Sequence, residues 1–190
     1  MNETRFDPGP LAAVEHRREG ERSTLVFVRE LRHPPARVWA ALTEPDQVAR
    51  WAPFAPDRSL AEPGAATLRL TDGAASEEHP ATVRRAEPPV VLEDTWGDDL
   101  LRWDLEPLGS GTRITLRHTV EGPEWLARVA AGWHLCAAVL ARLLNGFPVE
   151  PIVGEAALDF GWQDLHDAYA ERLGVAGAGW PEALFPAAEG

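Results

Sequence analysis

The chain contains no lysine: its eighteen basic residues are all arginine. That absence excludes Schiff-base chemistry, a P-loop lysine and a Ser–Lys dyad. Cysteine occurs once, as Cys136. A single cysteine forms no internal disulfide and no cysteine-based zinc or iron–sulfur site of the usual kind. No apolar run approaches the ~18 residues of a membrane-spanning helix. The first residues, Met1–Asp7, lack a basic stretch followed by an apolar one, so no signal peptide is expected. Positive charge is scarce overall. A formal charge of −12 opposes both nucleic-acid phosphates and an anionic membrane surface. The histidines are scattered, and Glu77-Glu78-His79 is too short a cluster for a metal site. There is no nucleophile elbow, P-loop or dinucleotide fingerprint. The expectation is a cytoplasmic protein with no cofactor, no metal, and no nucleic-acid or membrane partner.

What is present is a regular succession of short strands. Leu11–Arg17 alternates weakly and is an optional first strand. Thr24–Leu31 is rich in β-branched and aromatic residues and reads as a strand, stopped by His33-Pro34-Pro35. Pro35 suits the first turn of a helix to about Leu42, with Val38, Trp39 and Leu42 on one side. Thr43 and Asp46 have capping-box spacing for a second short helix ending near Trp51. Pro56–Pro63 reads as a loop and Asp72–Pro80 as a mobile hairpin tip. Strands are predicted at Ala65–Leu70, Thr82–Glu87, Val90–Trp96, Leu100–Glu106 and Thr112–Val120. Their short turn-rich connections imply hairpins, hence an antiparallel meander. This order predicts an α+β domain with helices on one face of one sheet.

A long apolar helix is predicted at Trp125–Asn145. At ~100° per residue, Leu126, Val129, Ala130, Trp133, Cys136, Ala137, Leu140 and Leu144 share a face. Arg128 and Arg142 fall roughly opposite. Leu135 and Val139 also point away from the main face, so this helix needs cover on two sides. One candidate cover is a further helix, Gly154–Leu173, whose stripe is Leu158, Trp162, Leu165, Tyr169 and Leu173. The other is a second copy of the chain, as a homodimer.

Phe27–Pro45 with Trp51, then Pro88–Trp96, Gly111–Thr119 and Gly132-Trp133, resemble the START-like (SRPBCC) superfamily. The most similar branch is the one related to the activator of the heat-shock-protein-90 ATPase. The resemblance spans about Thr24–Asn145. It implies a helix-grip fold: a curved sheet of about seven strands wrapped around the C-terminal helix, with a cavity between them. Members include lipid carriers, polyketide cyclases and aromatases, and hormone receptors. One domain is expected over residues 1–190, with a core at about 11–145 and a helical extension at 146–190 that plugs or lids the cavity. No counterpart of the eukaryotic co-chaperone's separate N-terminal domain is expected.

Strand alternation then selects the candidate site. Ile114, Leu116, His118 and Val120 share one face, and His118 is the ionisable group on that apolar row. Leu101, Trp103 and Leu105 share a face, as do Val90, Leu92, Asp94 and Trp96. Trp96, Trp103 and His118, with Trp133 above and Trp51 at the entrance, form the expected ligand-binding set. Such a set suits a small hydrophobic or aromatic molecule. Each residue also has a plainer role: the tryptophans as core, His118 as a satisfied buried histidine, Trp51 as an anchor for the short helix. His134 reads as a solvated flank residue and Cys136 as inert packing. The leading reading is a binding protein without turnover. A cyclase- or hydratase-type enzyme using His118, and a co-chaperone-like interaction module, remain as alternatives.

Overall fold

The computed structural model describes residues 6–71 and 77–177. Eight antiparallel strands form one sheet in the order β1-β2-β8-β7-β6-β5-β4-β3. The strands are β1 (Ala13–Glu19), β2 (Arg22–Leu31), β3 (Phe54–Pro56), β4 (Gly64–Leu70), β5 (Glu78–Glu87), β6 (Val91–Trp96), β7 (Asp99–Leu108) and β8 (Gly111–Val120). Helices α1 (Pro35–Thr43) and α2 (Pro45–Val48) carry the chain from β2 to the far edge, where β3 begins. A 3₁₀ turn at Pro123–Trp125 leads into the long helix α3 (Leu126–Leu144). Two more helices follow, α4 (Ala156–Asp159) and α5 (Trp162–Leu173). This is the expected α+β helix-grip architecture, with the curled sheet holding α3.

Register explains how the sheet builds its concave face. Leu25, His118 and Leu101 lie side by side across β2, β8 and β7, and Asp94 continues the row on β6. The next row is Phe27, Leu116, Trp103 and Leu92. Every one of these side chains is buried. A fully buried Leu or Phe contributes ~1.5–3 kcal/mol, so these rows and α3 form the dominant core. On the convex side, Arg102 pairs with Asp104 and Glu93, and Arg113 with Glu30. The edge strand β1 is mostly exposed and carries Glu15, Arg17 and Arg18. Charges on an edge discourage pairing with another chain.

Several expectations change. Pro56, the first residue of the stretch read as a loop, ends the short edge strand β3, where it is tolerated because an edge need not donate on both sides. β5 starts at Glu78, so Glu78–Pro80 is strand, not hairpin tip. Residues 72–76 of that tip lie outside the described residues. The predicted capping box at Thr43 is absent: the Thr43 hydroxyl donates to the Trp39 carbonyl (2.9 Å), and Glu44 is the N-cap residue of α2. The continuous helix Pro123–Leu144 is, by length and composition, apolar enough to cross a membrane, contrary to the reading of the sequence. Two-thirds of its most apolar window is buried within the fold (67%).

The long helix is indeed covered on two sides. Leu135 and Val139 are buried, and α5 packs on that back face through Trp162, Leu165, Tyr169 and Leu173. The cover is not one helix, however. Gly161 adopts a left-handed conformation (φ 85°) and separates α4 from α5. This break turns Leu158 off the stripe, leaving it 41% exposed.

His134 is the fastener of this layer, and not a solvated flank residue: it is fully buried. Its Nε2 donates to the Pro8 carbonyl (2.9 Å), and its Nδ1 accepts from the Tyr169 hydroxyl (2.7 Å). The Tyr169 oxygen in turn accepts the Ala12 backbone N–H (2.9 Å). Burial, then the nearby Arg29 guanidinium, hold the His134 pKa down to about 4. The imidazole is therefore neutral, as this pattern of one donor and one acceptor requires.

Candidate ligand site

The interior between sheet and α3 is filled where the sequence led us to expect space. Trp51 and Trp103 meet edge-to-face at 6.0 Å, and Trp103 meets Trp133 edge-to-face at 5.4 Å. With Phe27, Ile114, Leu116, Ala137 and Leu140, they leave no room for a water molecule. The Trp51 indole N–H donates to the Ala41 carbonyl (2.8 Å) and so ties the α1–α2 corner to the core. Trp51 and Trp103 are packing residues here, and neither lines an open space.

A cavity of ≈ 250 Å³ lies beside this packed region. Trp96 and His118 from the sheet form one wall. A second wall is Trp125, at the end of the 3₁₀ turn, with a helical stripe on α3: Arg128, Val129, Gly132, Trp133 and Cys136. The third comes from the C-terminal extension, through Ile152, Val153, Ala157 and Trp162. Of the five sequence-predicted site residues, the structure brings Trp96, His118 and Trp133 to this cavity. It places Trp51 and Trp103 behind them. The described part of the extension builds one side of the cavity, and residues 178–190 of it lie outside the described residues.

Gly132 is the most informative lining residue. It sits in the middle of α3, where glycine costs ~1 kcal/mol relative to alanine. A Cβ placed on Gly132 would meet nothing within 4 Å. The glycine is therefore not required by close packing, and its missing side chain contributes to the open space.

His118 is fully committed. Its Nδ1 accepts from the Trp133 indole N–H (2.9 Å), so the ring proton is on Nε2, which donates to Asp99 (2.8 Å). Asp99 is itself 3.7 Å from Arg22 at the surface. No lone pair of the imidazole is left for a proton from a ligand. Cys136 also lines the cavity, but burial pushes its thiol up to about 12, so it is a neutral, unreactive group. Asp94, on the same row as His118, is two strand spacings away, about 10 Å. It is 2% exposed, its Oδ1 has no hydrogen-bond partner, and burial raises its pKa to about 8. It does not line the cavity. Among the described residues, no group of three or more His, Cys, Asp or Glu side chains is placed to hold a metal ion.

Reading the sequence alone missed Trp125, Arg128, Gly132, Ile152 and Trp162 as lining residues. Arg128 was placed opposite the core face, which is correct for the sheet side. The extension creates a second inner surface on that flank. The one local signal was Gly132, an isolated glycine within a strong helical pattern.

Residues 32–145 match the model of the family described as Activator of Hsp90 ATPase homolog 1-like protein. Among solved structures, CalU16 from Micromonospora echinospora has a TM-score of 0.64 at 21% identity, covering 84% of this chain and 95% of that one. A conserved protein of unknown function from Enterococcus faecalis has a TM-score of 0.63 at 18% identity, covering 84% and 89%. An AHSA1-like protein from Aeromonas hydrophila has a TM-score of 0.52 at 21% identity, covering 64% and 92%. At such identities the likeness concerns the fold. The curated proteins yield no match. The family match ends at residue 145, so the cavity wall from Ile152 to Trp162 lies beyond it.

Proposed function

The chain belongs to the Activator of Hsp90 ATPase homolog 1-like family, within the START-like superfamily, and on that premise we propose that it binds a small aromatic or hydrophobic molecule without transforming it. The observation that carries this reading is Gly132. A stability cost in the centre of the core helix, opening directly onto a Trp-lined void, is what a binding site calls for and what a packed interface would have filled. The cavity is at the small end of ligand pockets, which typically span ~300–1,000 Å³. It suits one or two rings better than a lipid chain.

The commitments of His118 weigh against turnover. A general base needs a free lone pair within reach of the ligand. Here one ring nitrogen serves Trp133 and the other Asp99, and Asp99 is not among the lining residues. His118 instead orients Trp133, whose ring forms part of the wall.

Gly132→Leu tests the proposal. The new side chain enters the void without a Cβ clash and restores helix propensity worth ~1 kcal/mol. With naphthaleneacetamide as a neutral two-ring probe, calorimetry is expected to detect binding to the natural protein and none to the variant, whose melting temperature is equal or higher. Equal binding by both proteins would remove this cavity as the site.

A further inference from the structure

The two hydrogen bonds of His118 bear on how the site is regulated, an inference that rests on the cavity being a binding site. We infer that ligand binding is coupled to a proton: the cavity takes its guest while His118 is neutral, and protonation of that imidazole releases the Trp133 wall and the ligand with it.

His118 is shared by two partners with opposite demands. The Trp133 indole N–H needs the lone pair on Nδ1 (2.9 Å). The Asp99 carboxylate accepts the proton of Nε2 (2.8 Å) and, as an anion, favours a fully protonated ring. A second proton can enter only at Nδ1, because Nε2 already carries one. There it would point at the Trp133 N–H, donor against donor. The clasp on Trp133 therefore exists with neutral His118 and is broken in the imidazolium. The ring itself is buried, but the Asp99 side chain is 32% exposed. An imidazolium would thus be paired with a hydrated carboxylate and not stranded in the core.

Trp133 is placed to transmit the change. It lines the cavity together with His118. Its indole stands edge-to-face with Trp103 (5.4 Å) and lies 6.4 Å from Trp51, in a region with no room for a water molecule. It cannot sink that way. A buried N–H that has lost its acceptor seeks another, and the open side is the cavity. A ring turned into that space takes the volume of the guest.

The other charged and titratable groups around His118 do not supply this coupling. On β2, Arg22 stands 3.7 Å from Asp99 and tempers its pull. On α3, burial pushes the Cys136 thiol up to about 12, and Arg128 is an arginine and keeps its charge. Burial raises Asp94 on β6 to about 8, and burial and Arg29 hold His134, on the back of α3, down to about 4. Asp98 and Glu121 share the surface depression that Asp99 borders and do not line the cavity.

Calorimetry with naphthaleneacetamide, a probe without a titrating group, compares pH ~7 with pH ~5, within the range where histidines change charge. A guest that binds only the neutral form loses up to about tenfold in affinity per pH unit below the titration, and about tenfold is expected between the two conditions. His118→Asn sets an amide oxygen near the Nδ1 position and does not titrate; its two affinities are expected to be equal. Trp133→Phe keeps a ring but removes the N–H, and its two affinities are likewise expected to be equal. The natural protein gives a second reading by nuclear magnetic resonance. The Trp133 indole N–H signal, assigned by its loss in Trp133→Phe, shifts with pH, and its midpoint moves to lower pH when the probe is bound. Equal affinities at the two pH values in the natural protein, or a pH dependence that survives either substitution, would overturn the inference and leave the cavity as a binding site. Failure of the probe to bind the natural protein at the higher pH would remove the binding reading, and this inference with it.

Discussion

Two buried polar residues on one row of the sheet have opposite fates. His118 has a partner at each nitrogen and costs the fold little. Asp94 has an orphaned oxygen and remains protonated to about pH 8, because burial, and then the nearby Glu93 carboxylate, disfavour its ionised form. Unfolded, the same carboxyl ionises near pH ~3.9. The stability conferred by its neutral folded form is complete below that pH and is lost as pH rises to about 8. His134 works in the other direction. Its depressed pKa contributes stability present above about 6.5 and lost as pH falls towards 4. The two slopes oppose each other below about pH 6.5, whereas above it Asp94 acts without His134. Asp94→Asn is therefore expected to flatten the decline between pH 6.5 and 8, which in the natural protein is up to about 1.4 kcal/mol per pH unit. Urea unfolding at those two pH values reads it. An unchanged slope in the variant would mean that Asp94 is ionised or solvated in the fold.

Among the elements, α3 and α5 depend on each other. The apolar back of α3 would face water without α5, and α5, at twelve residues, is too short to be stable alone. Their junction is a hydrogen-bonded chain from Ala12 through Tyr169 and His134 to Pro8, which also fastens the N-terminal segment. Tyr169 is fully buried, so Tyr169→Phe removes one hydroxyl and leaves both the Ala12 N–H and the His134 Nδ1 without that partner. The expected loss is ~1–3 kcal/mol. In hydrogen exchange, protection should fall at Ala12 and along β1 before it falls in β7 and β8. Uniform loss across the sheet would show that the chain is not a local fastener.

For the whole molecule, the extension decides the character of the site. It supplies the third wall of the cavity and the cover for α3 together. Removing residues 154–190 is expected to abolish binding of naphthaleneacetamide. It should also expose Ala131, His134, Leu135 and Val139, detectable as binding of a hydrophobic dye and as self-association in sedimentation. A shortened protein that stays monomeric, binds no dye and keeps its melting temperature would contradict the covering role.

The sequence by itself determined the sheet, the helix and the need for a second cover. These follow from local periodicity: β-branched alternation in Thr24–Leu31 and Thr112–Val120, the apolar faces of Leu126–Leu144, and the spare pair Leu135 and Val139. It also brought forward Trp96, His118 and Trp133, because strand alternation and helix phase fix which side a residue faces. Only the tertiary structure decided which of those sides is packed and which is open. Trp51 and Trp103 face inward as surely as Trp96 does, yet they fill their space while Trp96 borders a void. That difference depends on how volumes from five separate segments add up, a sum no local pattern encodes. Arg128 shows the same limit from the other direction. Its place on the helix was legible, but it became a lining residue only when the chain turned at Gly161 and brought Trp162 alongside.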